Sequence, residues 1–168
     1  MNIRNVALLT AIAAAAASAG VSAATDTASM SVGATVVASC NVTAPSLNFA
    51  SADVVNASGL ETSGDITVQC TDTTPYAIGL GAGNNGTDTA GVVSGRQMTH
   101  TDTTSLLAYT LKSVSQSGTN WDNAGANDVE DVGTGVVQNH TVYASIDSGQ
   151  STAKLGVYSD SVTVTVTF

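Results

Sequence analysis

The chain has few charged and few aromatic residues, and these shortages limit the functions it can perform. Of 168 residues, 10% are charged and 4% are aromatic, and four basic residues stand against thirteen acidic ones. The formal net charge of −9 repels phosphate backbones and anionic lipid headgroups, so nucleic acid is not an expected partner. With seven aromatic residues in all, an aromatic platform for glycans is also difficult to build.

Residues suited to catalysis or metal binding are scarce as well. The two histidines, His100 and His140, have no Cys, Glu or His at metal-ligand spacing, and no Gly-x-Ser-x-Gly motif is present. We predict that both histidines lie at the surface or at strand edges. We expect no catalytic residue, no metal and no cofactor.

Two further motifs are explained by their surroundings. Residues 81–86 have the letters of a dinucleotide fingerprint, but no apolar helical spacing follows them, so a turn is predicted. The acidic segment with Asp122, Asp128, Glu130 and Asp131 lacks the regular spacing of a calcium loop. A solvated loop is the favoured interpretation of that segment.

The N-terminus has the features of a secretory signal peptide. Arg4 provides the positive start, residues 6–20 are apolar and rich in alanine, and small residues follow at signal-peptidase spacing. We predict a signal peptide over residues 1–24, cleaved after Ala23 or Ala24. The apolar run is short for a bilayer span, and no later segment qualifies as one. Loss of Arg4 leaves three basic and thirteen acidic residues, a net charge of −10.

Export favours a disulfide between the two cysteines, Cys40 and Cys70, because thiols pair in oxidising compartments. Closing a loop of about 30 residues stabilises a fold by roughly 3 to 4 kcal/mol in the chain-entropy model. Two buried free thiols are the less favoured alternative.

Alternating apolar and polar residues predict β-strands rather than helices along the rest of the chain. In the last run, the apolar residues that alternate with threonine are Val162, Val164, Val166 and Phe168. Further strands are predicted at 66–70, 76–80, 106–112 and 141–146. Short strands separated by turn residues favour a single all-β domain with a sandwich architecture.

A second alternating run follows the predicted cleavage site. Its apolar parity consists of Ala28, Met30, Val32, Ala34 and Val36. Nine residues at about 3.3 Å each span roughly 30 Å, which is long enough to cross a domain. The run is either a strand without a partner in its own domain or the first strand of the sandwich, continuing into Val37 and Cys40.

The most specific motif closes the chain. Residues 156–168 follow the pattern Gly-x-Tyr-x-Asp-x-Val-x-Val-x-Val-x-aromatic, which begins with Gly156, Tyr158 and Asp160. Supporting segments are Cys40, 47–49, 64–70 with 74–76, 107–111 with Trp121 downstream, and 142–146 before Gln150. Over essentially the whole mature chain, these residues resemble the spore coat protein U domain family, which includes pilins of archaic chaperone-usher systems. The acidic segment 117–135 departs from the family pattern, so its strand boundaries are not predicted.

The resemblance implies an immunoglobulin-like β-sandwich that lacks its final strand and is completed by donor-strand exchange. Residues 25–36 would form the N-terminal donor-strand extension, and residues 37–168 the pilin domain. A periplasmic chaperone would hold the subunit and an outer-membrane usher would export it. The extension of a neighbouring subunit would then fill the open groove, building a homopolymer at the cell surface.

In that assembly both alternating runs have roles. Met30 and Val32 would be the central donor side chains, with the other apolar residues of the run beside them. The terminal strand would line the groove, pair first with the chaperone, and present the carboxylate of Phe168 to basic residues of that chaperone. An unpaired edge beside an open groove is an aggregation hazard that strand addition removes.

Two other functions stay open at this point. One is a spore or cell-surface coat protein of the same fold that forms no linear fibre. The other, less favoured because aromatic residues are few, is a secreted monomeric sandwich that binds carbohydrate. None of the three is an enzyme.

Overall fold

The computed structural model describes residue 20 and residues 22–57, 60–125 and 127–168. Most of the predicted signal peptide therefore lies outside the described residues. Within these ranges no helix is long and apolar enough to cross a membrane. The described residues form eleven strands: β1 (Cys40–Thr43), β2 (Glu61–Cys70), β3 (Pro75–Leu80), β4 (Thr87–Thr89), β5 (Val92–Ser94), β6 (Gln97–His100), β7 (Leu106–Lys112), β8 (Val129–Val132), β9 (Gln138–Ile146), β10 (Tyr158–Ser159) and β11 (Val164–Thr167).

Two larger sheets and one hairpin make up the fold, and every strand pair is antiparallel. The six-stranded sheet has the order β1-β2-β9-β7-β6-β10, and the three-stranded sheet has the order β11-β3-β8. Strands β4 and β5 form the hairpin. Its two turn residues, Ala90 and Gly91, both have positive φ, as a tight two-residue turn requires.

The hydrophobic core lies where residues of the two larger sheets meet, and alternation along the strands decides which side chains enter it. In β2, for example, Ile66, Val68 and Cys70 are buried, whereas Gln69 between them is exposed. The buried core cluster consists of Ile66, Val68, Cys70, Tyr76, Ile78, Leu80, Tyr109, Leu111, Trp121, Val142 and Ala144. Val162, Val164 and Val166 pack against this cluster.

Strongly alternating runs gave accurate strand predictions. The strand predicted at 106–112 has the same bounds as β7, and those at 66–70, 76–80 and 141–146 lie within β2, β3 and β9. The terminal strand is shorter than predicted, because β11 begins at Val164 and ends at Thr167. Val162 precedes it because the chain there is crossing from one sheet to the other, and Phe168 follows it with an exposed side chain.

The chain divides into two units, Met1–Thr35 and Val36–Phe168. In the first unit, residues 22–35 form no strand and every side chain among them is exposed. In the second unit, residues 36–39 are also exposed and without strand structure, and the first strand begins at Cys40. The structure therefore does not contain the alternative in which the run 28–36 is the first strand of the sandwich.

Candidate functional site

The C-terminal segment connects the two larger sheets. Tyr158 and Ser159 pair with β6 in the six-stranded sheet, and five residues after Ser159, at Val164, the chain begins to pair with β3 in the three-stranded sheet. The Tyr158 ring lies against the His100 ring, with 5.0 Å between centroids. Gly156 makes this approach possible, since a Cβ there would collide with the His100 imidazole and its φ is +147°.

Asp160 fixes the crossing between the sheets. Its carboxylate accepts a hydrogen bond from Tyr109 Oη at 2.7 Å and from the backbone N–H groups of Asn84 and Ser161, both at 2.8 Å. Burial and the neighbouring carboxylate raise the pKa of the Tyr109 hydroxyl, so it remains a donor. Gly83 has no room for a Cβ beside this carboxylate and adopts a positive φ. The motif residues Gly156, Tyr158 and Asp160 thus have structural roles at the start of the terminal strand.

An open cleft lies beside this terminal segment and reaches the core. The cleft has a volume of about 420 Å³. One rim is residues 158–164, and the other is residues 44–49, which form no strand. The floor consists of the side chains of Ile66, Leu80, Tyr109, Leu111, Val142 and Ala144. Apolar residues of the core therefore line a cleft that is open at the surface.

A second cleft of about 710 Å³ continues along the same two rims. It is lined by residues 47–55 on one side and by residues 151–158 on the other, with Leu107 and Ile146 between them. Leu47, Phe49, Met98 and Tyr158 line both clefts. We call the two clefts together the groove.

Among the residues that the structure describes, no strand pairs with the outer backbone edge of the terminal strand. Strand β11 is the outer strand of its sheet, and Gly81 N–H donates to the carbonyl of Thr163 at 2.9 Å. Backbone groups of successive residues in an antiparallel ladder point to opposite sides of the strand. Because the Thr163 carbonyl faces β3, the N–H and C=O groups of Val164 and Val166 point to the opposite edge. A further strand can pair with that edge.

The predicted donor residues lie outside every strand. All five of them are exposed: Ala28, Met30, Val32, Ala34 and Val36. Met30 is 85% exposed and Val32 84% exposed. Apolar side chains that alternate along an exposed segment are costly in water, because burying one methionine or valine side chain would stabilise the protein by up to about 1.5 to 3 kcal/mol. Whether these residues enter the groove of a second molecule stays a prediction.

The predicted disulfide between Cys40 and Cys70 is present in the structure. The two residues lie opposite each other in the pairing of β1 with β2, with their Cα atoms 4.1 Å apart. Thr71 N–H donates to the carbonyl of Ser39 at 2.9 Å beside the disulfide. The disulfide therefore links the beginning of the edge strand β1, immediately after the exposed N-terminal segment, to the end of β2.

Both histidines are more buried than predicted, with side chains only 12% exposed. His140 lies in β9, inside the six-stranded sheet, and its Nε2 is 2.8 Å from Tyr76 Oη. Burial lowers the pKa of His140 against the opposing influence of Asp131. Burial and Asp131 raise the pKa of Tyr76 to about 12. The prediction of surface or edge histidines was wrong because each ring has a tyrosine partner, Tyr158 for His100 and Tyr76 for His140.

The acidic segment is more ordered than a solvated loop. Asp122 is 2% exposed and accepts hydrogen bonds from Val93 N–H at 3.1 Å and from the Asn127 side chain at 2.8 Å. Trp121 is 1% exposed and donates its indole N–H to the carbonyl of Ile78 at 2.8 Å. The interpretation as a solvated loop was therefore wrong for this part. Across the ranges that the structure describes, no three His, Cys, Asp or Glu side chains are placed to hold a metal ion.

A buried arginine is the main structural residue that the sequence reading missed. Arg96 is 3% exposed and donates to the carbonyls of Leu80, Gly81 and Trp121 at 2.8 to 3.0 Å. Burial lowers its pKa, and the three carbonyls accept hydrogen bonds from three of its five N–H groups. The one available sequence signal was its rarity, since the chain has only four basic residues. Arg96 ties the end of β3 to the segment that begins at Trp121.

Comparisons with known proteins agree with this architecture. A chain in the crystal structure of the CsuC–CsuE chaperone-tip adhesion subunit pre-assembly complex, from the archaic chaperone-usher Csu pili of Acinetobacter baumannii, matches with a TM-score of 0.60. The sequences are 22% identical, and the match covers 80% of this chain and 41% of that chain. This chain thus spans less than half of that one, and the likeness shows a shared fold.

No curated protein matches the chain. The family model described as the Spore Coat Protein U domain matches residues 26–165, which is most of the sequence. The all-β fold, the closing motif and this match agree, and the chain belongs to the spore coat protein U domain family.

Proposed function

We propose that this chain is a secreted structural subunit of a chaperone-usher pilus, which polymerises by donating residues 25–36 to the groove of the next subunit. The observation that carries the proposal is the groove itself, an apolar cleft open to the core beside the free edge of β11. An extended segment with alternating apolar side chains can pair with such an edge and insert those side chains into the cleft.

The donor segment is long enough to cover most of the groove. One rim is formed by residues 151–164, and its part from Leu155 to Val164 has ten residues. Ten extended residues span about 33 Å. The apolar run from Ala28 to Val36 has nine residues, or roughly 30 Å. The donor is therefore long enough to extend along the first cleft and into the second.

An antiparallel arrangement along β11 is favoured for the donor. Antiparallel pairs are slightly more stable per residue than parallel ones, and the opposite rim, residues 44–49, is not a regular strand. In this orientation the N-terminal part of the donor lies beside Val166, and Val36 lies near residues 155–158. Each subunit is thereby joined head to tail to the next.

Burial of the donor side chains provides most of the driving force. Five small apolar side chains at roughly 1 to 2 kcal/mol each contribute several kcal/mol before backbone pairing is added. The contact is heterologous, since one molecule donates and the other accepts. Heterologous contacts that do not close into a ring generate filaments. No catalysed step and no cofactor is involved.

A periplasmic chaperone and an outer-membrane usher are the proposed assembly partners. A subunit with an exposed edge and an open apolar groove needs protection before it polymerises. The structural relative from Csu pili was crystallised in a chaperone complex, which supports a chaperone as partner. The proposed route is export by a signal peptide over residues 1–24, a chaperone-bound stage in the periplasm, and assembly at the cell surface.

Deletion of residues 25–34 tests the proposal. The truncated subunit, expressed with its chaperone and usher, should stay bound to the chaperone and form no fibre. A synthetic peptide of residues 25–36 should then release the chaperone by occupying the groove. The matched control is the same peptide with Met30→Asp and Val32→Asp, which should release none. Fibres formed by the truncated subunit would show that strand donation by this segment is wrong.

A further inference from the structure

We propose that each subunit also contacts its neighbour through two exposed apolar patches, one at the disulfide end of the body and one at the far end of the groove. We define the base patch as Val37, Val132, Val136 and Val137. We define the rim patch as Val55, Leu155 and Val157. The inference rests on the proposed function and names the second copy's base patch as the occupant of the rim patch.

The base patch is a cluster of exposed side chains held by backbone hydrogen bonds. Its four valines are between 49% and 70% exposed. Thr71 N–H donates to the carbonyl of Ser39, and Gly135 N–H donates to the carbonyl of Cys70. These bonds bring the chain beside Val37 together with the chain beside Val136 and with the disulfide. Several large apolar side chains exposed near one another are a feature of interaction sites.

The rim patch surrounds the outer end of the groove. Its three residues line the second cleft together, and all of them are exposed, Leu155 completely. Leu155 and Val157 immediately precede Tyr158, where the terminal segment joins the six-stranded sheet. An apolar partner at this end would cover the cleft and the patch at the same time.

The length of the connection brings the two patches together. Val36 is the last apolar residue of the donor run, and β1 begins at Cys40. Residues 37–39 connect them, so Val36 and Cys40 are four residue steps, at most about 13 Å, apart. With the donor antiparallel to β11, Val36 of one subunit lies near the rim patch of the next. The base of the donating subunit, including Val37 in the connection itself, must then lie against that patch.

The geometry of donor insertion favours a second copy of this chain as the partner that covers the rim patch. Donor insertion places the start of β1, beside one base patch, within about 13 Å of the Val36 that lies near one rim patch in every subunit pair, without any further binding event. Because the donor strand already links the two subunits, the effective concentration of the two patches is high, and a contact of small area can form. Its expected effect is to limit the angles between successive subunits.

A cysteine pair tests the contact in assembled fibres. Val137→Cys and Leu155→Cys are combined in the full chain, purified fibres are oxidised, and products are separated by non-reducing electrophoresis. We expect a ladder of covalent multimers. The matched control combines Val92→Cys with Leu155→Cys, because Val92 is 55% exposed against 57% for Val137 and lies in the β4–β5 hairpin outside both patches. This control should give no ladder.

The outcomes separate this inference from the proposed function. If fibres form but the first pair gives no ladder, or both pairs give equal ladders, the patch contact is wrong while strand donation stands. Cross-linking in fibres that carry only Val137→Cys or only Leu155→Cys would indicate that identical patches face each other, which also overturns the inference. If the double variant forms no fibre, Val137→Asp is measured by electron microscopy instead. A distribution of angles between subunits equal to that of the unsubstituted fibre then overturns the inference, and a broader one supports it.

Discussion

Truncation of Met30 to alanine should weaken the fibre by an amount that the structure allows us to estimate. Met30 is 85% exposed in the subunit, and the proposed insertion of the donor into the groove would bury it. Replacing a buried methionine by alanine costs about 2 to 5 kcal/mol. The cleft is open on one side, so we expect a value near the lower limit, about 2 kcal/mol. At about 1.4 kcal/mol for each factor of ten, the donor should dissociate roughly 30-fold faster.

The assay compares the unsubstituted fibre with fibres that carry one substitution in the donor run, either at an apolar position or at the polar position next to it. Purified fibres are incubated in guanidinium chloride, and released subunits are quantified over time by size-exclusion chromatography. Ser31→Ala is the matched control, because position 31 belongs to the opposite parity of the alternating run and should leave the release rate unchanged. Equal release rates for Met30→Ala and the unsubstituted fibre would refute the predicted burial. A large effect of Ser31→Ala would reverse the assigned faces.

Three further predictions concern the body of the subunit. Replacing both disulfide cysteines by alanine should lower the free energy of unfolding by about 3 to 4 kcal/mol in urea titrations. An unchanged free energy of unfolding would contradict the conclusion that the disulfide stabilises the fold by holding β1 in place. Tyr109→Phe should cost about 1.5 to 3 kcal/mol in the same titrations, because Asp160 loses a charge-assisted hydrogen bond; a neutral result would contradict that bond. Burial lowers the pKa of His140 below 6.5, so the unfolded chain takes up protons more readily and stability falls as the pH decreases through about 6.5. His140→Gln should remove that part of the decline in melting temperature, and the control His100→Gln should retain it.

The sequence predicted elements well where one face of a strand is buried. Strand β7 was predicted with its observed bounds because Leu107, Tyr109 and Leu111 alternate with polar or small residues and enter the core. Strand β8 was not predicted, since its sequence Val-Glu-Asp-Val has a largely exposed pattern at the edge of a sheet. At an edge the partner strand, and not local hydrophobicity, decides pairing.

The site was predictable in part for the same reason. Alternation identified Val162, Val164 and Val166 as core-facing, and the structure packs all three on the core cluster. The hydrogen bonds of Arg96, and those of Asp160 with Tyr109 and Asn84, could not be predicted, because these partners are 15 to 76 residues away in sequence. Phe168 shows that alternation along the sequence does not by itself determine whether a side chain is buried. Its parity placed it with the valines, but the chain leaves β3 after Thr167 and the ring is 58% exposed.

A high-resolution electron-microscopy map of the assembled fibre is the most direct test of strand donation. We predict continuous density for residues 28–36 of one subunit between β11 and residues 44–49 of the next, antiparallel to β11, with Met30 and Val32 pointing into the groove. Density that places residues 28–36 within their own subunit, or a groove that stays empty in the fibre, would contradict the proposed assembly.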